Sequence, residues 1–319
     1  MWRGNLVRLA IAILAVTAAT LGLAQRAAAS APRVAIVQSS ALGPFVEASE
    51  ALTAALRRDP LQPEILTFDL AGDPANAPAL FARVETAAPR LVVTVGSLAT
   101  NAALDAKLTA PVVFAMVLYP EASGFLHRNG KTSTGASLDI PPDVQFRLLR
   151  RLLPKASRIG VLYQPSETGP VVEAARRAVA AHGFTLVARP VADPGAAPAA
   201  LDELMAEVDA IWTVADSHVF TAQTTAPLIL ATLRRGIPLL GLSTAQVRAG
   251  AVAALYCDYA DIGRQAAEVA ARVLAGANPS DVPVTVPRVV RLALNTRTAE
   301  HLGLPLAADL VKDADEVMK

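Results

Sequence analysis

The chain has one cysteine, Cys257, among 319 residues, so no intramolecular disulfide can form and stability has to come from packing. Aromatic residues make up only 4%, which leaves aliphatic cores and makes any Tyr, Trp or Phe at a strand end a candidate ligand contact. The four histidines, His127, His182, His218 and His301, lie far apart in sequence without metal-ligand spacing, so no metal site is expected. No Gly-x-x-x-x-Gly-Lys motif occurs, so the chain binds no nucleotide phosphate in that way and is expected to use no cofactor. A formal net charge of +1 gives no basis for nucleic-acid binding.

What the chain has in abundance is apolar residues, 53% against 18% charged, enough for the packed cores of two ordinary domains. The first 29 residues form a separate segment. Arg3 and Arg8 precede an uncharged apolar run from Leu9 to Leu23, and Ala27-Ala28-Ala29 supplies the small residues of a cleavage site before Ser30. The run is shorter than the ~20 residues of a comfortable membrane span, which favours a cleaved export signal over an anchor. With no cysteine beside the cut, lipid attachment is not expected, and export places the mature protein in the periplasm. Removing Arg3, Arg8 and Arg26 brings the net charge to −2.

Beyond residue 30, apolar β-branched runs alternate with helical patterns, the signature of an α/β fold with mostly parallel sheets. Strands are expected at 34–40, 64–70, 91–95 and 111–117, then at 158–163, 185–191, 210–216, 238–242 and 251–255. A long run from Val284 to Leu294, broken by Pro287, also reads as extended. Between Glu121 and Pro142 the rhythm is broken by Gly124, Gly130, Gly135, Pro141 and Pro142, as at a crossover between domains. Further passages are expected near 256–261 and 279–287. The resulting division is an N-terminal lobe of 30–139 plus about 258–281 and a C-terminal lobe of 140–257 plus about 282–319.

Parallel sheets bind ligands beyond the carboxyl ends of their strands. Collecting those ends gives Ser39 and Gly43; Gly96, Ser97 and Thr100; Tyr119; Tyr163 and Glu167; Asp216 and Ser217; Ser243; and Asp258. Hydroxyls, carboxylates and tyrosines dominate, which suits a small organic ligand held in a cleft. Each has a structural alternative. Ser97 and Asp216 are good helix caps, Glu167 sits in a Ser-Glu-Thr loop of ordinary polarity, and Tyr163 fits a hinge-side packing role. Catalytic readings fail on geometry: Asp216-Ser217-His218 are too close in sequence to align as a triad, and Gly241-Leu242-Ser243-Thr244-Ala245 lacks the second glycine of a nucleophile elbow. No enzyme activity is expected.

In order, Val34–Val37, Leu91–Ser97, Pro111–Phe114, Thr134-Gly135 with Ser137, Arg158–Tyr163, Val214–Asp216, Gly236–Pro238 and Asp258-Tyr259 with Gly263–Ala267 resemble the ABC-transporter substrate-binding protein family that includes tryptophan-binding proteins of the TrpX type. The resemblance continues through Asn295–Ala299 and Ala314–Val317 and so covers nearly the whole mature chain. It implies a type I periplasmic-binding-protein fold, two lobes joined by three hinge strands, acting as a monomer that closes on a small molecule and hands it to a membrane permease. The alternative use of such a fold is a periplasmic sensor that presents its bound form to a signalling receptor. The resemblance further implies that Gly96, Ser97 and Thr100 surround a ligand carboxylate or carbonyl, that Asp216 and Glu167 face an amine, and that Tyr163 packs on the ligand body. Tyr119-Pro120 stands where family members commonly carry Asp-Pro, so ligand identity does not follow. Lys131–Gly135 similarly replaces the usual Asn-Val-Thr-Gly.

Overall fold

The computed structural model describes residues 31–319, and the expected export signal lies outside them. Strands β1 (Arg33–Gln38), β2 (Glu64–Asp69), β3 (Leu91–Val95), β4 (Val112–Val117) and β7 (Thr134–Ser137) form a parallel sheet in the order β2-β1-β3-β4-β7. A short hairpin of β5 (His127–Arg128) and β6 (Lys131–Thr132) precedes β7. The second sheet comprises β8 (Arg158–Tyr163), β9 (Thr185–Pro190), β10 (Ala210–Trp212), β11 (Leu239–Gly241), β12 (Ala253–Cys257), β13 (Val290–Asn295) and β14 (Glu316–Met318). Its order is β14-β13-β12-β11-β10-β8-β9, with β13 antiparallel to β12. Strand order reverses direction at β1/β3 in one sheet and β8/β10 in the other, so each sheet opens a crevice at its carboxyl edge.

Period-2 alternation buries both faces of each sheet. Val34 and Ile36 of β1 pack on one side with helices Gly43–Leu56 and Tyr259–Leu274, whereas Ala35 and Val37 pack on the other with helices Ala77–Thr86 and Ser97–Asp105. The second sheet is sandwiched likewise: Ile159 and Val161 face one cluster, Leu162 and Ile211 the other. Helix Tyr259–Leu274, although it follows β12 of the second sheet, belongs to the first core. It crosses helix Gly43–Leu56 at Gly263, where a Cβ would stand 2.1 Å from the Ala48 carbonyl oxygen. No described helix is long and apolar enough to cross a membrane.

The extended run expected from Val284 to Leu294 is divided between the sheets. Thr285 bridges to Ala136 beside β7, donating its N–H to the Gly135 carbonyl and accepting the Ser137 N–H, while only Val290–Asn295 joins the second sheet. Val282 is likewise buried in the first core. The chain therefore stays with the first sheet four residues beyond 281. Pro287, which has no N–H for a ladder, lies in the gap between the two pieces.

Candidate functional site

The carboxyl edges of the two sheets face each other across a cavity of about 720 Å³. Its walls come from both sides: Leu118 and Tyr119 beyond β4, Thr213–Ala215 beyond β10 and Leu242 beyond β11. All the interdomain passages contribute as well, through Leu138–Pro142, Leu255–Cys257 with Tyr259, and Val284 with Val286. A smaller pocket of about 360 Å³, lined by Ser39, Ser40, Ser97 and Leu98, shares Leu118 and Leu138 with it and so adjoins it.

A β-bulge between Ala115 and Val117 re-aims the end of β4 into this cleft. Met116 (φ 59°) and Tyr119 (φ 50°) both adopt the left-handed backbone region there, unusual for residues with a Cβ. The phenol oxygen of Tyr119 accepts a hydrogen bond from the Ala215 N–H at 3.1 Å, tying the first sheet to the second. Its own N–H is shared by both carboxylate oxygens of Asp139, at 2.9 and 3.0 Å. Burial drives the Tyr119 phenol far above its usual range, so it remains protonated. Burial also raises the Asp139 carboxyl, against the opposing influence of the Tyr119 N–H and the Ser137 hydroxyl. The Cys257 thiol is pushed up to about 12 by desolvation, with the Asp139 charge adding to it, and is inert as a nucleophile.

The remaining wall is apolar with fixed polar points. Trp212, 1% exposed, donates its indole N–H to the Gln145 carbonyl oxygen at 2.7 Å and lies tilted against Phe146, ring centroids 5.2 Å apart. Gln145 in turn donates to the Ile140 carbonyl at 2.8 Å, which fixes its amide orientation. No Arg, Lys or His is among the residues that line the cavity.

Of the residues expected from the sequence, Tyr119 lines the large cavity and Ser39 and Ser97 line the smaller pocket. Ser97 is exposed there, at the start of its helix. Ser39 is largely structural: its hydroxyl donates to the Val95 carbonyl and accepts the Ala99 N–H, joining β1 to the helix after β3. Gly96, φ 91°, is required by that close approach, since a Cβ would stand 2.5 Å from the Ser39 hydroxyl oxygen. Thr100 is fully buried and its hydroxyl bonds to Thr94 and to the Gly96 carbonyl. Gly43 opens its helix with nothing within 4 Å of a notional Cβ.

Asp216, expected from the resemblance to face a ligand amine, is turned toward donors of the protein. Its carboxylate is 2% exposed and accepts four hydrogen bonds, from the Gln164 N–H, the Thr168 hydroxyl and the N–H groups of His218 and Val219. Glu167 is engaged similarly by the Ser217 N–H and hydroxyl and by His218 Nδ1 at 2.8 Å. Glu167, Asp216 and His218 offer atoms within 4.8 Å of one another, but those atoms are already committed to this loop. Tyr163 packs against the second core instead of lining the cavity. Ser243 and Asp258 cap their helices, accepting the N–H groups of Gln246 and Asp261, and Asp258 also pairs with Arg291. Sequence reasoning missed Asp139, Gln145 and Trp212 as cavity residues. The available signal was an acid two residues before Pro141-Pro142 on an otherwise apolar crossover, where no helix cap or turn demanded it.

A family model described as ABC transporter substrate binding protein matches residues 50–318. The tyrosine-binding protein of Clostridioides difficile (strain R20291) is 25% identical over 229 residues, 70% of this chain and 66% of that relative, so the match spans just under two thirds of the relative's length. An L-Trp complex from Streptococcus pneumonia superposes with a TM-score of 0.67 at 22% identity, covering 91% of this chain and all of that one. A ligand-free, open substrate binding protein from Clostridium difficile gives 0.72 at 20% identity, covering 90% and 99%. These two likenesses establish the fold, a two-lobed type I periplasmic one.

Proposed function

Because the chain belongs to the ABC transporter substrate binding protein family, we propose that it is the periplasmic solute-binding component of an ABC importer, carrying an aromatic amino acid or a close relative to the permease. The supporting observation is the single cleft walled by both sheets and every interdomain passage. A ligand seated there touches groups that come together only when the lobes close, so binding shifts the open–closed equilibrium by its differential affinity. The permease then reads the closed surface. We take the first lobe to run through residue 139 and to resume over about 258–285, and the second to hold the rest of the exported, monomeric chain.

The chemistry of the cleft suits such a ligand. The apolar wall with Trp212 and Tyr119 accepts an aromatic body, and the exposed start of helix Ser97–Asp105 supplies N–H groups and the Ser97 hydroxyl for a carboxylate. The relatives' names, a tyrosine-binding protein and an L-Trp complex, agree with that choice. Binding without turnover is the expected behaviour, and the Cys257 thiol at the cavity wall is held protonated by desolvation.

A thermal-shift screen of amino acids, aromatic acids, sugars and polyamines tests this reading. Ligand at a hundred times its Kd adds about 2.7 kcal/mol of stability. Stabilisation by tyrosine or tryptophan, lost when Trp212 is replaced by Ala in a variant shown to fold, supports the proposal; stabilisation by a sugar alone contradicts it.

A further inference from the structure

We propose that Asp139 is the residue that recognises a ligand ammonium group, making the cleft selective for primary amines over amine-free acids of the same shape. The inference rests on the ligand reading above and deepens it. An ionised carboxylate offers about four acceptor positions, and a buried one is stable only when they are met. Asp216 has its positions filled by protein donors, two from its own loop and two from the start of the helix after β8. Asp139, by contrast, has only the Tyr119 N–H, shared between its two oxygens, and the neighbouring Ser137 hydroxyl to favour its charge, and it lines the cavity. Its neighbour Ser137 accepts the Asp139 N–H at 2.8 Å, which holds the crossover backbone in place.

The other residues that line the cavity with Asp139 are uncharged or acidic. The segment after β4 presents Tyr119 and Glu121, the end of β12 presents Tyr256 and Cys257, and the following helix presents Tyr259. The helix after the crossover contributes the neutral Gln145, and Val284 and Val286 contribute apolar surface. Since no cation of the protein lines this cavity, the complement to the carboxylate has to arrive with the ligand. Desolvation has already raised the Asp139 carboxyl, as it does for an acid lacking a counter-charge. The position also couples recognition to closure, because Asp139 holds the N–H of Tyr119, whose phenol reaches Ala215 on the opposite side.

The test is isothermal titration of the wild type with two matched sets, L-tyrosine, tyramine and 3-(4-hydroxyphenyl)propionate, and L-tryptophan, tryptamine and indole-3-propionate, repeated with Asp139→Asn. In the better-binding set, the amines are expected to bind the wild type about 10–100-fold more tightly than the amine-free acid, and Asp139→Asn to erase most of that difference. Wild-type affinity for the amines should fall as the pH is lowered through the raised Asp139 range while the amine-free acid holds its own. The wild-type comparison stands even if the variant folds poorly, which its melting curve will show. If aromatic ligands bind but the amine-free acids bind as tightly as the amines, the role of Asp139 is overturned and the aromatic site survives. If none of the six binds, the ligand reading itself is overturned and this inference with it.

Discussion

Asp216 and Asp139 are acids that each follow the carboxyl end of a strand, and hydrogen bonding separates their roles. Truncating Asp216 leaves the donors of Gln164, Thr168, His218 and Val219 without their acceptor. Asp216→Ala is therefore expected to lower unfolding free energy by on the order of 3 kcal/mol in urea, with little change in ligand affinity of the folded fraction. Lost affinity at unchanged stability would reverse that assignment. Asp139 works in the opposite direction. Its folded-state carboxyl is raised by desolvation, so its favourable contribution is complete below the ordinary carboxylate range and is lost as pH rises through the raised value. Asp139→Asn, uncharged throughout, should melt above the ligand-free wild type at pH 7, and the gap should close in acid. A variant that melts lower at pH 7 would show that the charge is already compensated. At this scale the polar residues at the strand ends are legible in the sequence, and what their side chains do is not. Strand ends do carry the polar residues, yet Ser39, Thr100, Ser243 and Asp258 spend their side chains on the backbone. A cap and a ligand contact use the same residue types, and only the direction of the side chain distinguishes them.

The elements were more legible, because periodicity reports burial directly. Runs such as Leu91–Val95 and Val112–Val117 are buried at every position and read as parallel strands without ambiguity. The break of the Val284–Leu294 run at Pro287 was legible, but which sheet each half joins was not, since the halves share a composition and pairing is set by tertiary topology. The late β14 was also missed as a strand; its three residues are too short for a period to show. Helix crossing is equally invisible in one dimension. Gly263 permits helix Tyr259–Leu274 to lie against the backbone of Ala48, and a Cβ there has no flexible side chain to displace. Gly263→Ala is expected to cost about 1–3 kcal/mol or more, measured by chemical denaturation, by pushing the helices apart. An unchanged midpoint would mean that the helices separate without loss.

For the whole molecule, the described geometry is a pair of doubly wound sheets whose open edges share one cavity, joined across it by the Tyr119–Ala215 hydrogen bond. Tyr119→Phe removes that link while keeping the ring. A neutral hydrogen bond is worth about 0.5–1.5 kcal/mol, so the variant should favour separated lobes by roughly 2–10-fold, visible as a larger radius of gyration of the ligand-free protein in solution scattering. An unaltered radius would show that the bond does not bias the lobes. The central claim, that this cavity is where an aromatic amino acid is held, is tested most directly by a crystal structure grown with saturating L-tyrosine or L-tryptophan. The account predicts the ligand between Tyr119 and Trp212, its ammonium within hydrogen-bonding distance of Asp139 and its carboxylate toward the start of the Ser97 helix. A ligand bound elsewhere, or an empty cleft at saturation, would contradict it.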